Sequence, residues 1–145
     1  MANIYGANHT TAYPSEASST ALPGMVESSE QGGRVRVLYD RYTASGGATN
    51  NDDVIYMGKL PANATFLYGV LQHDSSGSPR FQVKVGTTEV RAAGSATPTV
   101  STSTLFGAAQ GGLKTTAATD VTITLSNAAV ASGKYVSCMI FYTVD

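Results

Sequence analysis

Two histidines, His9 and His73, and one cysteine, Cys138, are the side chains of this 145-residue chain best suited to acid–base, nucleophilic or metal chemistry. Neither histidine stands in a His-x-x-x-His, His-Glu-x-x-His or mixed Cys/His spacing, so neither fits a zinc-type ligand set. His73 is followed by Asp74, a pair that could work as base and orienting carboxylate. The plainer reading is a solvated pair in a turn. Cys138 falls mid-strand on an apolar face, where cysteine acts as a small hydrophobe. Asp52-Asp53 lacks the spaced carboxylates and central glycine of a calcium loop, and reads as a turn. The run Gly111-Gly112-Leu113-Lys114-Thr115-Thr116 has the flavour of a phosphate loop. Leu113 separates glycine from lysine, however, and the first half of such a loop is missing. No Gly-x-Ser-x-Gly elbow is present. Asn8-His9-Thr10 and Asn63-Ala64-Thr65 match the glycosylation pattern, which carries weight only in a secreted chain. The expectation is no catalytic residue, no metal set and no cofactor, hence no enzyme.

Composition narrows the class. A chain of 145 residues fits one domain that can bury a core without staples. One cysteine rules out an internal disulfide framework. Only 13% of residues are charged against 42% hydrophobic, which is not a charge-solvated disordered chain. A net charge of −1 gives no general attraction to nucleic acid or an anionic membrane, so neither is expected as a partner. No apolar run has the length of a membrane span, and the N-terminus lacks the basic and apolar regions of a secretory signal. Synthesis in the cytosol is expected. Abundant glycine, serine, threonine and alanine, with no helical period, point to an all-β domain.

The elements that would position any site are strands. Val54 to Gln72 is the organising stretch. Val54, Ile55, Tyr56 and Met57 suit a pleated surface, and Leu60-Pro61-Ala62-Asn63 makes a corner because proline cannot join a ladder. Thr65 to Leu71 resumes the strand, with Phe66, Tyr68 and Val70 expected on one face and Leu67 and Leu71 on the other. Bulk on both faces suits an inner strand. Upstream, Arg34 to Tyr42 alternates, with Val35, Val37 and Tyr39 expected inward and Arg34, Arg36 and Asp40 outward. Residues 43–53 read as a loop and 73–79 as a polar turn. Phe81, Val83 and Val85 alternate strictly with Arg80, Gln82 and Lys84, and Gly86 opens a hairpin or bulge. Residues 91–119 hold one irregular strand near Thr99 to Phe106. Val121, Ile123 and Leu125 face inward from the next strand. The last strand sets Val136, Cys138, Ile140, Tyr142 and Val144 on one face, with Tyr135, Met139 and Phe141 on the other. Strands at this spacing make a jelly-roll-like β-sandwich over residues 34–145.

Residues 1–33 differ. They hold Glu16, Glu27 and Glu30 but no lysine or arginine, and Pro14, Pro23, Gly24, Gly32 and Gly33 punctuate them. Ile4, Tyr5, Tyr13, Leu22, Met25 and Val26 are scattered rather than periodic. Such a segment buries too little of itself to offset the cost of ordering. Either it is a frayed terminus, or it is an extended arm whose isolated apolar side chains anchor on a partner. Met139 and Phe141 supply a second apolar face for contact between copies, with a trimer favoured over a dimer.

The opening Met1-Ala2-Asn3-Ile4-Tyr5-Gly6-Ala7-Asn8, the body start Gly33-Arg34-Val35-Arg36-Val37-Leu38-Tyr39, the corner Met57-Gly58-Lys59-Leu60-Pro61-Ala62-Asn63-Ala64 and the ending Phe141-Tyr142-Thr143-Val144-Asp145 carry a resemblance. In these segments the chain resembles the small head decoration (cement) proteins of tailed bacteriophages. The resemblance touches both ends and the middle but not 91–119. It implies a jelly-roll-like protein bound to the outside of a virion capsid, made in the host cytoplasm. The implied partner is the major capsid protein, contacted through the N-terminal segment. The rival class is a carbohydrate- or receptor-binding β-module of a tail fibre or spike. Such sites stack sugars on exposed aromatics, which the absence of tryptophan weakens and eight tyrosines leave open.

Overall fold

The structure is a computed structural model that describes residues 34–44, 53–76, 78–93 and 100–144. The arm expected over residues 1–33, with Ile4, Tyr5, Tyr13, Leu22, Met25 and Val26, lies outside the described residues, as does most of the 43–53 loop.

Among the described residues, eight strands build two four-stranded sheets. They are β1 (Arg36–Thr43), β2 (Val54–Leu60), β3 (Ala64–His73), β4 (Arg80–Val85), β5 (Thr88–Arg91), β6 (Thr104–Phe106), β7 (Thr119–Ser126) and β8 (Tyr135–Val144). Sheet A has the order β1-β8-β3-β6 and sheet B the order β2-β7-β4-β5. Each strand pairs antiparallel with its counterpart from the other end of the chain: first with eighth, second with seventh, third with sixth, fourth with fifth. That is one long antiparallel ribbon. Rolling it up adds the pairings β3·β8 and β4·β7 and closes two sheets over each other. This topology is the jelly roll.

Alternation decides which side chains fill the space between the sheets. Phe81, Val83 and Val85 of β4 and Val121, Ile123 and Leu125 of β7 are buried, as their period of two requires. From sheet A, Phe66, Leu71, Val136, Cys138 and Ile140 meet them. Two phases differ from the sequence reading. On β1, Val35, Val37 and Tyr39 point outward, while Leu38 and Tyr42 pack against the core. Both faces of this strand carry apolar residues, so alternation alone does not identify the inner one. On β3, a bulge between Phe66 and Tyr68 inserts Leu67. It resets the alternation, so that Phe66, Gly69 and Leu71 face inward and Tyr68 and Val70 outward. The irregular strand expected from Thr99 is β6, only three residues long.

Gly69 has a steric reason to be glycine. A Cβ there would stand 2.2 Å from the Phe106 ring. The β4–β5 hairpin turns through Gly86 at φ +60°, as a two-residue loop with glycine first requires.

The Pro61 corner carries the chain from sheet B to sheet A, with Asn63 at φ 58°. Thr115 fastens it. The Ala64 N–H donates to Thr115 Oγ1 (3.0 Å), and that hydroxyl donates to the Pro61 carbonyl (2.6 Å). Backbone bonds of 2.8 Å from Asn63 to Thr115 and from Thr115 to Ala64 flank it. Thr115→Val keeps the shape and removes the hydroxyl from a buried site. It is expected to lower stability by about 1–3 kcal/mol in urea titration, the range for leaving buried polar groups unmatched.

Candidate functional site

The two outer faces of the sandwich differ in chemistry. On sheet B the outward residues of β7 and β4 are Asp120, Thr122, Thr124 and Ser126 beside Arg80, Gln82 and Lys84, a wetted polar surface. Lys59 and Asp120 pair across it at 3.4 Å, an exposed bridge of little energetic consequence. Val54 and Tyr56 are exposed at its β2 edge.

Sheet A turns an apolar face outward. Strand register sets two rows across it. In one, Val37 lies opposite Phe141, which lies opposite Tyr68. In the next, Tyr39, Met139, Val70 and Leu105 follow strand by strand from β1 to β6. The rings of Tyr68 and Phe141 stack with centroids 4.6 Å apart and planes at 19°. Such cross-strand pairs stiffen a sheet face. The guanidinium of Arg41 sits 3.8 Å over the Tyr135 ring and borders the rows. Val35, Tyr39 and Leu105 are 59%, 57% and 62% exposed. A contiguous apolar face of this kind is a candidate interaction surface.

Met139 and Phe141 thus stand at the centre of this face, on the strand that β1 and β3 flank. Sequence reasoning missed Val35, Val37, Tyr39 and Leu105 as members. The available signal was the double apolar character of β1, with one set for the core and one left over. Only register brings the leftover set beside Met139.

Of the residues singled out for chemistry, His9 and Asp52 lie outside the described residues, and His73, Asp74, Lys114 and Cys138 hold places in the sandwich framework. His73 ends β3 rather than opening a polar turn, and is fully buried with its ring 5.1 Å from that of Phe81. Asp74 accepts a hydrogen bond from the Tyr135 N–H, and its own N–H donates to the Tyr135 carbonyl at 3.2 Å. It ties the β3 end to the β8 start. Lys114 forms an isolated antiparallel backbone bridge with Thr65 of β3. A cleft of about 420 Å³ opens between β5 and β6. Its Arg91 is mostly buried, donates to the Phe81 carbonyl and has its pKa lowered by that burial. Glu89 beside it accepts from Gln82.

Cys138 is buried between the sheets, and its thiol is pushed up to about 12 from 9.0, by burial first and by the Asp40 charge second. The unfolded thiol ionises near its ordinary value while the folded one stays neutral. This contribution to stability is therefore full below pH 9 and is lost as pH rises toward 12. Alkylation at pH 8 is expected to label Cys138 only in denaturant, by mass spectrometry.

No protein-family model and no curated protein sequence matches the chain. Solved structures do. One chain from "Capsid of Ralstonia phage GP4" superposes with a TM-score of 0.56 at 20% identity, covering 78% of this chain and 86% of its own. One from "Cyanophage Pam1 capsid asymmetric unit" superposes with a TM-score of 0.52 at 26% identity, covering 86% and 92%. The first likeness is one of fold. By fold, and against the second by sequence as well, this jelly roll is related to phage capsid chains.

Proposed function

We infer that the protein is a structural component of a phage virion, a decoration or cement protein that binds the outer surface of the head and stabilises the shell. The observation that carries this reading is the apolar outer face of sheet A, on a jelly roll whose solved relatives come from phage capsids. A face of valine, tyrosine, methionine, phenylalanine and leucine suits burial against protein rather than turnover of a small substrate.

In this reading the major capsid protein is the partner, and residues 1–33 supply the attachment through Ile4, Tyr5 and Tyr13. Copies associate around a symmetry axis, a trimer being the favoured state, with Met139 and Phe141 turned toward the neighbouring copy.

The test is reconstitution. Purified protein added to heads that lack it should co-sediment with them at saturable stoichiometry and raise the temperature at which they release DNA. Protein that stays in the supernatant at every concentration, while glycan or host-surface binding is measurable, would move the assignment to a receptor-binding module.

A further inference from the structure

We propose that the outer face of sheet A is the docking surface for part of a second copy's N-terminal segment, the stretch holding Leu22, Met25 and Val26, in an exchange of arms between subunits. The proposal rests on the assembly reading above and names what lies between the copies.

Three observations support this occupant. The first is charge. Along the β1 edge Arg36 and Arg41 are exposed, Asp40 is the one carboxylate of the sheet-A strands, and the apolar rows carry no charge, which leaves the border net basic. The segment is the reverse: residues 1–33 contain three glutamates and no lysine or arginine, and Glu27 and Glu30 closely follow Leu22, Met25 and Val26. Basic border and acidic flank match.

The second is apolar content. The segment's aliphatic side chains are interrupted by Pro23 and Gly24 and are too few to cover one another, and the face offers an apolar surface on which each can be covered separately.

The third is where the segment ends. Its last residue joins Arg34, at the open edge of sheet A, and β1 begins opposite Tyr142, near the end of β8 at Val144. A segment that enters the sheet at its edge and near one end crosses its own face only by reversing. Thirty-three residues extended span roughly 100 Å, whereas four strands span only about 15–20 Å. The length suffices to reach a neighbour without that reversal and leaves Ile4, Tyr5 and Tyr13 to continue to the shell. Exchange of identical segments is a low-cost route to a closed oligomer.

Cysteine trapping in the full-length protein tests this, because Cys138 is buried and its thiol suppressed. Met25→Cys protein, carrying a mass tag, is mixed with untagged Tyr39→Cys or Leu105→Cys protein under mild oxidation. Both face positions are exposed, so substitution there should leave the fold intact. The expected result is a mixed disulfide dimer at least five-fold above either homodimer, together with oligomers in sedimentation velocity that Met25→Asp dissociates. A Met25→Cys/Leu105→Cys or Met25→Cys/Tyr39→Cys chain that closes its disulfide within one monomer at high dilution would overturn exchange in favour of self-covering. Absence of any crosslink to either face position, with the protein monomeric, would overturn docking on this face altogether. Head binding is scored separately: a protein that exchanges arms but ignores heads defeats the decoration reading and not this one.

Discussion

Changing Ile4, Tyr5 and Tyr13 together to alanine is expected to release the protein from phage heads while leaving the jelly roll folded. Burying each such side chain contributes about 1.5–3 kcal/mol, whereas an exposed ion pair contributes about 0–1 kcal/mol. Three lost anchors therefore weaken attachment by roughly a thousandfold or more, at about 1.4 kcal/mol per decade. Arg34→Gln and Arg36→Gln should matter far less. Raising salt should weaken retention only slightly, because residues 1–33 carry three glutamates and no lysine or arginine. Co-sedimentation with heads reads the first effect, and circular dichroism confirms the fold. Undiminished binding by the triple variant would mean that the sandwich itself makes the contact.

The largest effect on stability is expected at Phe81. Its ring is fully buried between the sheets, on the β4 strand paired with Leu125 of β7, and it packs against the buried His73. Phe81→Ala removes that contact and opens a cavity that the two hydrogen-bonded sheets can collapse only in part. A loss of about 3–5 kcal/mol follows from the transfer and cavity costs together. For a domain of this size, roughly 2–4 °C per kcal/mol puts the fall in melting temperature near 6–20 °C by calorimetry. A change of less than about 1 kcal/mol would contradict the placement of Phe81 at the centre of the core.

Strand existence was legible wherever a single face is buried. β4 and β7 alternate cleanly because one side of each packs on the opposite sheet, and Pro61 marks the corner between β2 and β3 whatever the tertiary context. β1 misled because its outer face is also apolar. Periodicity registers hydrophobic spacing and is blind to whether a stripe faces the core or a partner. The extra residue at Leu67 leaves no mark in composition, so the two faces of β3 exchanged without warning. Residues 104–115 follow β3 through backbone bonds: β6 pairs with Gly69 to Leu71, Phe66 donates to Leu113, and Thr115 donates to Ala64. Backbone pairing needs no particular side chains, which is why an alanine-, glycine- and threonine-rich stretch conceals it. His73 read as a turn residue because a polar run follows it, yet β3 extends one residue farther and buries it. Of the apolar outer face of sheet A, Met139 and Phe141 were recognisable from a last strand that is apolar on both sides. Their neighbours emerge only from the pairing of strands distant in sequence.

An image reconstruction of the intact virion tests the decoration assignment most directly. Density is expected for an eight-stranded jelly roll on the outer surface of the head, repeated with the symmetry of the shell, with the outer face of sheet A covered by protein. Jelly-roll density confined to a tail fibre or spike, or absent from the head exterior, would contradict it.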